Sequence, residues 1–579
     1  MPLNLESGYL EGWKTWIESI IPAALHSPAK TLTIVVMIVF ALKRILKPSP
    51  YRNISGPASS SFMYGHIQDM LGPDGASFQD HLQSTYGSLS KIKGSFGEDR
   101  LYISDPRAMQ EILVKEHDKV FQHPQVHYEI MTAMFGPGLL ASRGTVHKAQ
   151  RKMLNPVFSA KHMKILEFVV MSRFHVLAQE MKDCLVKELG DSGSKEINAM
   201  YWCNAVALEL IGQAGLGHKF GVFQGVKSAY SVAIKDFLPA LSQTAPYRPI
   251  FSLVYKLPSA VLRRKIAEYA PMPSIQRMNR VVKIQDEQAQ AILSQKKSDF
   301  ETNLNTGESD NILSIILKAN SQSSGYDSLP EDQILARSYL LATRQQGISH
   351  PPVEYQLYLN KPNLPPSGAI ARTLHLLSQN PEIQGRLRAE LRSSSPDADY
   401  EEIHALPFMD AICREVLRLH PPAPNIERRT LSDWTIPLRY PVKGKDGSER
   451  NEIKVKKGTL IYLGIRGANR CKETWGEDAD IFRPGRWLEE LPQSVVDART
   501  PGVYSSSMTF SAGPRACIGF KFSLLELKIV LSTLIRSFEF TPSEKEVEWK
   551  VAGTMAPFAV DSKETTTVSQ LPLRVTVLN

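Results

Sequence analysis

The most specific chemistry in the chain is carried by Phe510 to Gly519, which reads Phe-Ser-Ala-Gly-Pro-Arg-Ala-Cys-Ile-Gly. A cysteine thiolate that ligates a metal has to be held rigidly, kept from bulk water and supplied with N–H donors that tune its basicity. Gly513 and Gly519 flank Cys517 and permit a tight loop in which backbone amides approach sulfur closely. Apolar residues resume helical spacing directly after Cys517, so the sulfur is expected near a helix N-terminus, where the dipole favours negative charge. Arg515, two positions before the cysteine, is placed to meet an anion. A plain turn before a helix would explain the glycines. It would not explain Phe510, Gly513, Arg515, Cys517 and Gly519 at this spacing.

The other four cysteines, Cys184, Cys203, Cys413 and Cys471, are scattered and form no CxxC pair, so spacing excludes both a disulfide framework and a zinc site. Each reads as a small buried apolar residue.

The 510–519 segment resembles the haem-binding loop of the cytochrome P450 family at every defining position, and the resemblance runs from about residue 50 to the end. It implies haem b with Cys517 as axial thiolate to iron, and Phe510, Gly513, Arg515 and Gly519 as cofactor-binding residues, Arg515 toward a propionate. Glu415-Val-Leu-Arg418 looks like the family's E-x-x-R motif, and on a helix the two charges share a face. Phe482 to Trp487 resembles the segment that supplies a second arginine, so Arg486 would complete a structural Glu415–Arg418–Arg486 triad beside the haem. Val146 to Phe158 resembles the helix that usually carries W-x-x-x-R. His147 stands in the tryptophan position and Arg151 follows at i+4, so both share a face and each can donate to a propionate. Arg428 falls where the family often has another propionate-binding arginine, with the adjacent Arg429 leaving the register open.

In one place the chain departs from the family. Its members carry a helix with an A-G-x-D-T-like kink, whose acid and threonine deliver protons to the oxygen being activated. Here helical pattern runs through Glu331 to Thr343 and resumes at Ser367 to Leu377, and the acid and threonine positions fall on Leu364 and Pro365. Between the two lies an anomalous insert, 343–366, whose prolines at 351, 352, 362, 365 and 366 are not expected in a regular helix. Three readings compete. The insert is real and oxygen activation is impaired; the chain uses peroxide or rearranges its substrate without net oxidation; or the segment is a retained intron. Intact pattern on both sides favours the intron.

The elements that must position these residues are mostly helices. Helical spacing marks 161–189, 277–293, 379–391, 408–419 and 519–538, and strand-like stretches are 89–92, 101–103, 452–455, 459–463 and 573–577. With no composition break after residue 60, the expectation is a mainly α fold with small β-sheets: the cytochrome P450 fold as one large domain, 48–579, behind an N-terminal anchor, 1–47. The anchor is read from the apolar run Thr31 to Leu42, extended back to Ile20 for length. Its basic flank Lys43, Arg44 and Lys47 predicts a single-pass transmembrane helix in the endoplasmic reticulum with the catalytic domain cytosolic.

At 579 residues with 42% apolar and 22% charged residues the chain can bury a sizeable core. Its +9 charge is dispersed, which argues against nucleic acid and suits an anionic membrane or an acidic partner. The function implied is insertion of oxygen from O2 into a lipophilic small molecule, in the manner of fungal microsomal members that tailor terpenoids and other secondary metabolites. No dinucleotide fingerprint is present, so NADPH electrons would arrive through a reductase docked near Lys521, Arg470 and Lys472. The alternative is a non-catalytic or non-monooxygenase haem-thiolate protein, motivated by the broken helix.

Overall fold

The computed structural model describes residues 49–59, 61–155, 158, 171–225, 248–302, 365–552, 554–560 and 569–578. The helices that frame the cysteine loop are α1 (Gly75–Tyr86), α2 (Gln125–Phe135), α3 (Gly144–Leu154), α4 (Ser172–Leu189), α5 (Ala199–Leu210), α6 (Pro273–Thr302), α7 (Pro365–Gln379), α8 (Pro381–Arg392), α9 (Pro407–Leu419) and α10 (Phe520–Ser537).

The strands are β1 (Leu89–Lys93), β2 (Asp99–Ile103), β3 (Phe121–Gln122), β4 (Ser194–Asn198), β5 (Asn425–Thr430), β6 (Trp434–Lys443), β7 (Glu449–Val455), β8 (Leu460–Gly464), β9 (Phe538–Pro542), β10 (Glu546–Ala552), β11 (Thr554–Val560) and β12 (Pro572–Val577). They make one five-stranded sheet in the order β1-β2-β8-β5-β3, a three-stranded sheet β4-β12-β9, and the hairpins β6-β7 and β10-β11. Strands β2 and β8 pair in parallel, with Leu101 opposite Ile461 and Ile103 opposite Leu463. Every residue of β8 is buried, which is why Leu-Ile-Tyr-Leu shows no polar alternation.

Helix α10 is the centre of the main core. Phe522, Leu524, Leu525, Leu527, Ile529, Val530 and Leu531 are buried around its whole circumference, and Phe522 meets Phe174 of α4 edge-on with ring centroids 5.1 Å apart. Helix α9 starts with Pro407 in its first turn, where the missing N–H leaves no bond unmade, and ends at His420 before Pro421. It buries Phe408, Met409, Ile412, Glu415, Val416 and Leu419 at helical spacing.

One expectation is corrected. Pro365 and Pro366 do belong to a helix: they open α7, and a first turn tolerates proline because its N–H groups have no intrahelical partner. The rest of the 343–366 insert, the pattern at 331–342 and the apolar run at 31–42 lie outside the described residues. No described helix is long and apolar enough to cross a membrane.

Candidate functional site: the cysteine loop and its basic surround

Backbone bonds close the loop before α10. Ser511 N donates to Met508 O at 2.7 Å, Ala516 N to Gly513 O at 3.0 Å, and Cys517 N to Phe510 O at 2.9 Å. Ser511 and Gly513 have φ of 60° and 67°. At Gly513 an added Cβ would run into the Leu113 carbonyl, so glycine is demanded by conformation and by space together. Gly519 is different: as N-cap of α10 its φ is −103°, which other residues adopt freely. Cys517 is half-buried two positions before that N-cap, while Cys203, Cys413 and Cys471 are buried and Cys184 half-buried. Burial pushes the Cys413 and Cys471 thiols up to about 12, keeping them protonated. The Phe510 ring packs against Phe520 and edge-on to Tyr504.

Around the loop stands a group of cations with few acids. Arg515 donates Nη2 to Ser142 O at 2.7 Å and lies 5.8 Å from the Tyr128 ring centroid. Arg428 is buried on β5 and donates Nη1 to Glu427 O at 2.6 Å, with His123 Nδ1 at 3.3 Å, whereas Arg429 faces solvent. Neither arginine makes an ion pair among the described residues, and the Nε of each is sealed from solvent without a partner. Burial above all lowers Arg428, to about 10, and Arg515 adds to that shift.

The histidines respond to the same field. Burial, then Arg515 and Arg151, push His147 down to about 3. Burial, then Arg428 and Arg515, do the same to His127, whose ring stacks on His123 at 4.5 Å. Arg151 does not end in open space: its Nη1 donates to Ala516 O at 2.7 Å and its Nε to Asn155 Oδ1 at 2.9 Å.

Behind the loop, Glu415 accepts from Arg418 Nε and Nη2, from Arg486 Nε and from Trp487 Nε1, all at 2.9 Å, and from Arg483 N at 3.1 Å. The structure thus brings Glu415, Arg418 and Arg486 together, each almost fully buried. Arg418 Nη1 continues to Asn469 O at 2.9 Å. The Asn469 side chain holds Met508 N at 2.6 Å and Thr509 Oγ1 at 2.8 Å, so the ion cluster is wired to the start of the cysteine loop.

The cytochrome P450 family model matches residues 56–342 and 367–566 of this chain. The chain belongs to the cytochrome P450 family. Among fungal relatives it is 36% identical over 551 residues to cytochrome P450 monooxygenase 81 of Postia placenta, covering 93% of this chain and 96% of the relative. It is 34% identical over 531 residues to the ganoderic acid synthetase of Ganoderma lucidum, covering 89% and 92%. To a cytochrome P450 monooxygenase of Hericium erinaceus it is 31% identical, over 96% of this chain and 98% of the relative. This P450 is accordingly an oxidoreductase of the monooxygenase type.

A P450 takes haem, and the donor set here fits a ring cofactor with two carboxylates: the sealed Nε groups of Arg428 and Arg515 have no anion among the described residues. His117, His123, His127, Tyr128 and Asp118 also belong to this surround and were not expected from the sequence. The available signal was three histidines within residues 117–127. Of the cations weighed for reductase docking, Arg470 is held by Asp80 and Asp480, and Lys472 pairs with Glu477 at 2.8 Å. Lys521 lies half-buried over the Phe520 ring.

Proposed function

We propose that this P450 is a membrane-anchored haem-thiolate monooxygenase that inserts one oxygen atom of O2 into a lipophilic small molecule, with electrons passed from NADPH by a separate reductase. The observation that carries the reading is the closed loop presenting Cys517 beside two guanidiniums that make no ion pair among the described residues. Haem, when bound, would supply oxygen activation, with the Cys517 thiolate as the residue that would hold its iron.

The chain's own groups bind and orient that cofactor. Cys517 offers its sulfur from a loop braced at Phe510 and Gly513. Arg428, Arg515 and His147 would donate to its carboxylates. Arg151 clamps the Ala516 carbonyl, and the Glu415–Arg418–Arg486 cluster stiffens the loop through Asn469. Gly519 caps α10.

The proposed substrate class is that of fungal secondary metabolism, terpenoids for example, and a relative named ganoderic acid synthetase is in keeping with a lipophilic substrate. The apolar run at 31–42 and its basic flank support an anchor in the endoplasmic reticulum membrane with the domain, 48–579, in the cytosol. Residues 343–366, which fall between the two matched stretches of the family model, support the retained-intron reading.

The test is the reduced protein with carbon monoxide. Wild type should show the far-shifted Soret band of thiolate ligation and Cys517→Ala should lack it. An unshifted band in wild type overturns the assignment.

A further inference from the structure

A second basic cluster lies where α7 passes the end of α9 and the β10–β11 hairpin. Arg372 donates Nη2 to His420 Nε2 at 3.1 Å and lays its guanidinium 4.6 Å from the Trp549 ring centroid. Trp549 Nε1 in turn donates to His375 Nδ1 at 2.8 Å. An arginine and an indole can only donate, so these two bonds dictate both tautomers: His420 carries its proton on Nδ1 and His375 on Nε2. Burial, then the Arg372 charge, hold both rings well below the usual histidine range, His375 at about 4, so both are neutral at physiological pH.

The cluster is therefore rich in donors, and its two imidazole acceptors, His420 Nε2 and His375 Nδ1, are already taken. Arg372 Nε is sealed from solvent without a partner, and among the described residues no carboxylate pairs with Arg372; the N–H groups that the tautomers place on His375 Nε2 and His420 Nδ1 are further donors. Nearby arginines are in a different condition. Arg466 holds Asp80 through two bonds of 2.8 Å, and Arg470 holds Asp80 and Asp480. A guanidinium whose Nε is shut off from water and that has no counter-ion is unfavourable unless something arrives to balance it. Arg372, His420 and Trp549 are each half-buried, so part of the cluster keeps contact with solvent.

The frame of that space is apolar. Val551 and Met555 pair across the hairpin, and both pack in one apolar cluster with Trp549 against it. Met555 N donates to Pro422 O, two residues beyond His420, which ties the hairpin to the end of α9.

We propose that Arg372, His375, His420 and Trp549 form a binding site for the carboxylate of a lipophilic acid, with the acid end of the substrate on the guanidinium and imidazole N–H groups. The inference rests on the monooxygenase reading above and narrows its substrate class to carboxylic acids. Arg372 and the two imidazoles take the anion, and Trp549 with Met555 meets the adjoining hydrocarbon.

The test uses the full-length, haem-loaded protein in detergent and calorimetric titration with palmitic acid, abietic acid, their methyl esters and sodium acetate. Wild type should bind at least one acid about tenfold or more tightly than its ester. Arg372→Met should erase that preference and leave ester affinity in place. Without ligand, Arg372→Met should melt no lower than wild type, because an unbalanced charge has gone.

The proposal is overturned by equal binding of acids and esters, by a preference that survives Arg372→Met, or by a clear drop in melting temperature of the unliganded variant, which would mark a structural arginine. Acetate binding as tightly as the long acids would show a free small-anion site and also overturn it. A far-shifted Soret band in wild type alongside any of these failures sinks only the carboxylate site; absence of the band sinks both readings.

Discussion

Arg151 reaches from α3 to the carbonyl of Ala516, the residue directly before Cys517, at 2.7 Å. Helix α3 and the cysteine loop are separated by 365 positions in sequence, and this charged hydrogen bond joins them. A hydrogen bond to a charged group contributes roughly 1.5–3 kcal/mol. Arg151→Gln, too short to span the gap, should therefore loosen the loop without unfolding the domain. The expected outcome is faster haem loss and a larger share of reduced carbon monoxide complex at the unshifted Soret position. Arg151→Lys, which keeps one donor, should fall between. Identical haem retention in Arg151→Gln and wild type would remove Arg151 from the loop's support.

Glu415 is the acceptor on which five donors converge, three of them from the two buried guanidiniums of Arg418 and Arg486. Burial alone would raise its carboxyl, but the Arg418 hydrogen bond and charge, then Arg486, hold it below its usual 4.5. Glu415→Ala leaves Arg418 and Arg486 buried and unbalanced, a loss of roughly 3–5 kcal/mol. Urea denaturation and haem content are both expected to register it, with reduced haem content because Asn469 carries the disturbance to Met508. A variant with wild-type midpoint and haem content would contradict the coupling.

Glu526 sits on the central helix with its side chain sealed and Oε1 without a partner. Burial raises its carboxyl from the usual 4.5 to about 8. A raised carboxyl keeps its proton in the folded chain where the unfolded chain has lost it, so stability falls as pH rises from about 4.5 toward 8. Glu526→Gln removes that titration and should stabilise the protein near pH 8, on the order of 2 kcal/mol. Denaturation midpoints between pH 5 and pH 8 decide it: the variant should lose less stability over that interval than wild type. Parallel pH profiles would mean that Glu526 ionises without penalty.

Legibility in the sequence followed the range over which each feature is specified. The helices at 408–419 and 519–538 emerge within a residue or two, because one apolar face or a wholly buried run repeats at helical period. Strands β3, β4, β5, β6, β9, β10 and β11 had no counterpart in the expectations. Trp434–Lys443 contains two prolines and alternates polar with apolar residues over a bulged hairpin, so a local window sees a loop. The residues of the E-x-x-R pair and of the cysteine loop were named from short motifs. Their partners were not: Asn469 and the Ala516 contact of Arg151 depend on distant segments meeting. The Arg428/Arg429 ambiguity needed the pleat of β5, which turns one inward and the other out.

The insert gives the sharpest test at the level of the gene. Helix α7 begins at Pro365, and the family model stops at 342 and resumes at 367. Neither Pro365 nor Pro366 has an N–H to give to a carbonyl four residues back, so a continuous helix from 331 to 379 cannot run through this sequence. The positions expected to hold the proton-delivering acid and threonine are Leu364 and Pro365, which have no proton to deliver. If the segment is a retained intron, mature transcripts should lack most codons for Arg344 to Pro366. In their place they should encode a short A-G-x-[DE]-T-like stretch running straight into Ser367. Protein from that transcript should turn over lipophilic substrate with NADPH and reductase, and the 579-residue chain should do so far more slowly. Transcripts that keep every codon would end the intron reading. Full NADPH-dependent activity of the 579-residue chain would then show that oxygen activation proceeds without the acid–threonine pair.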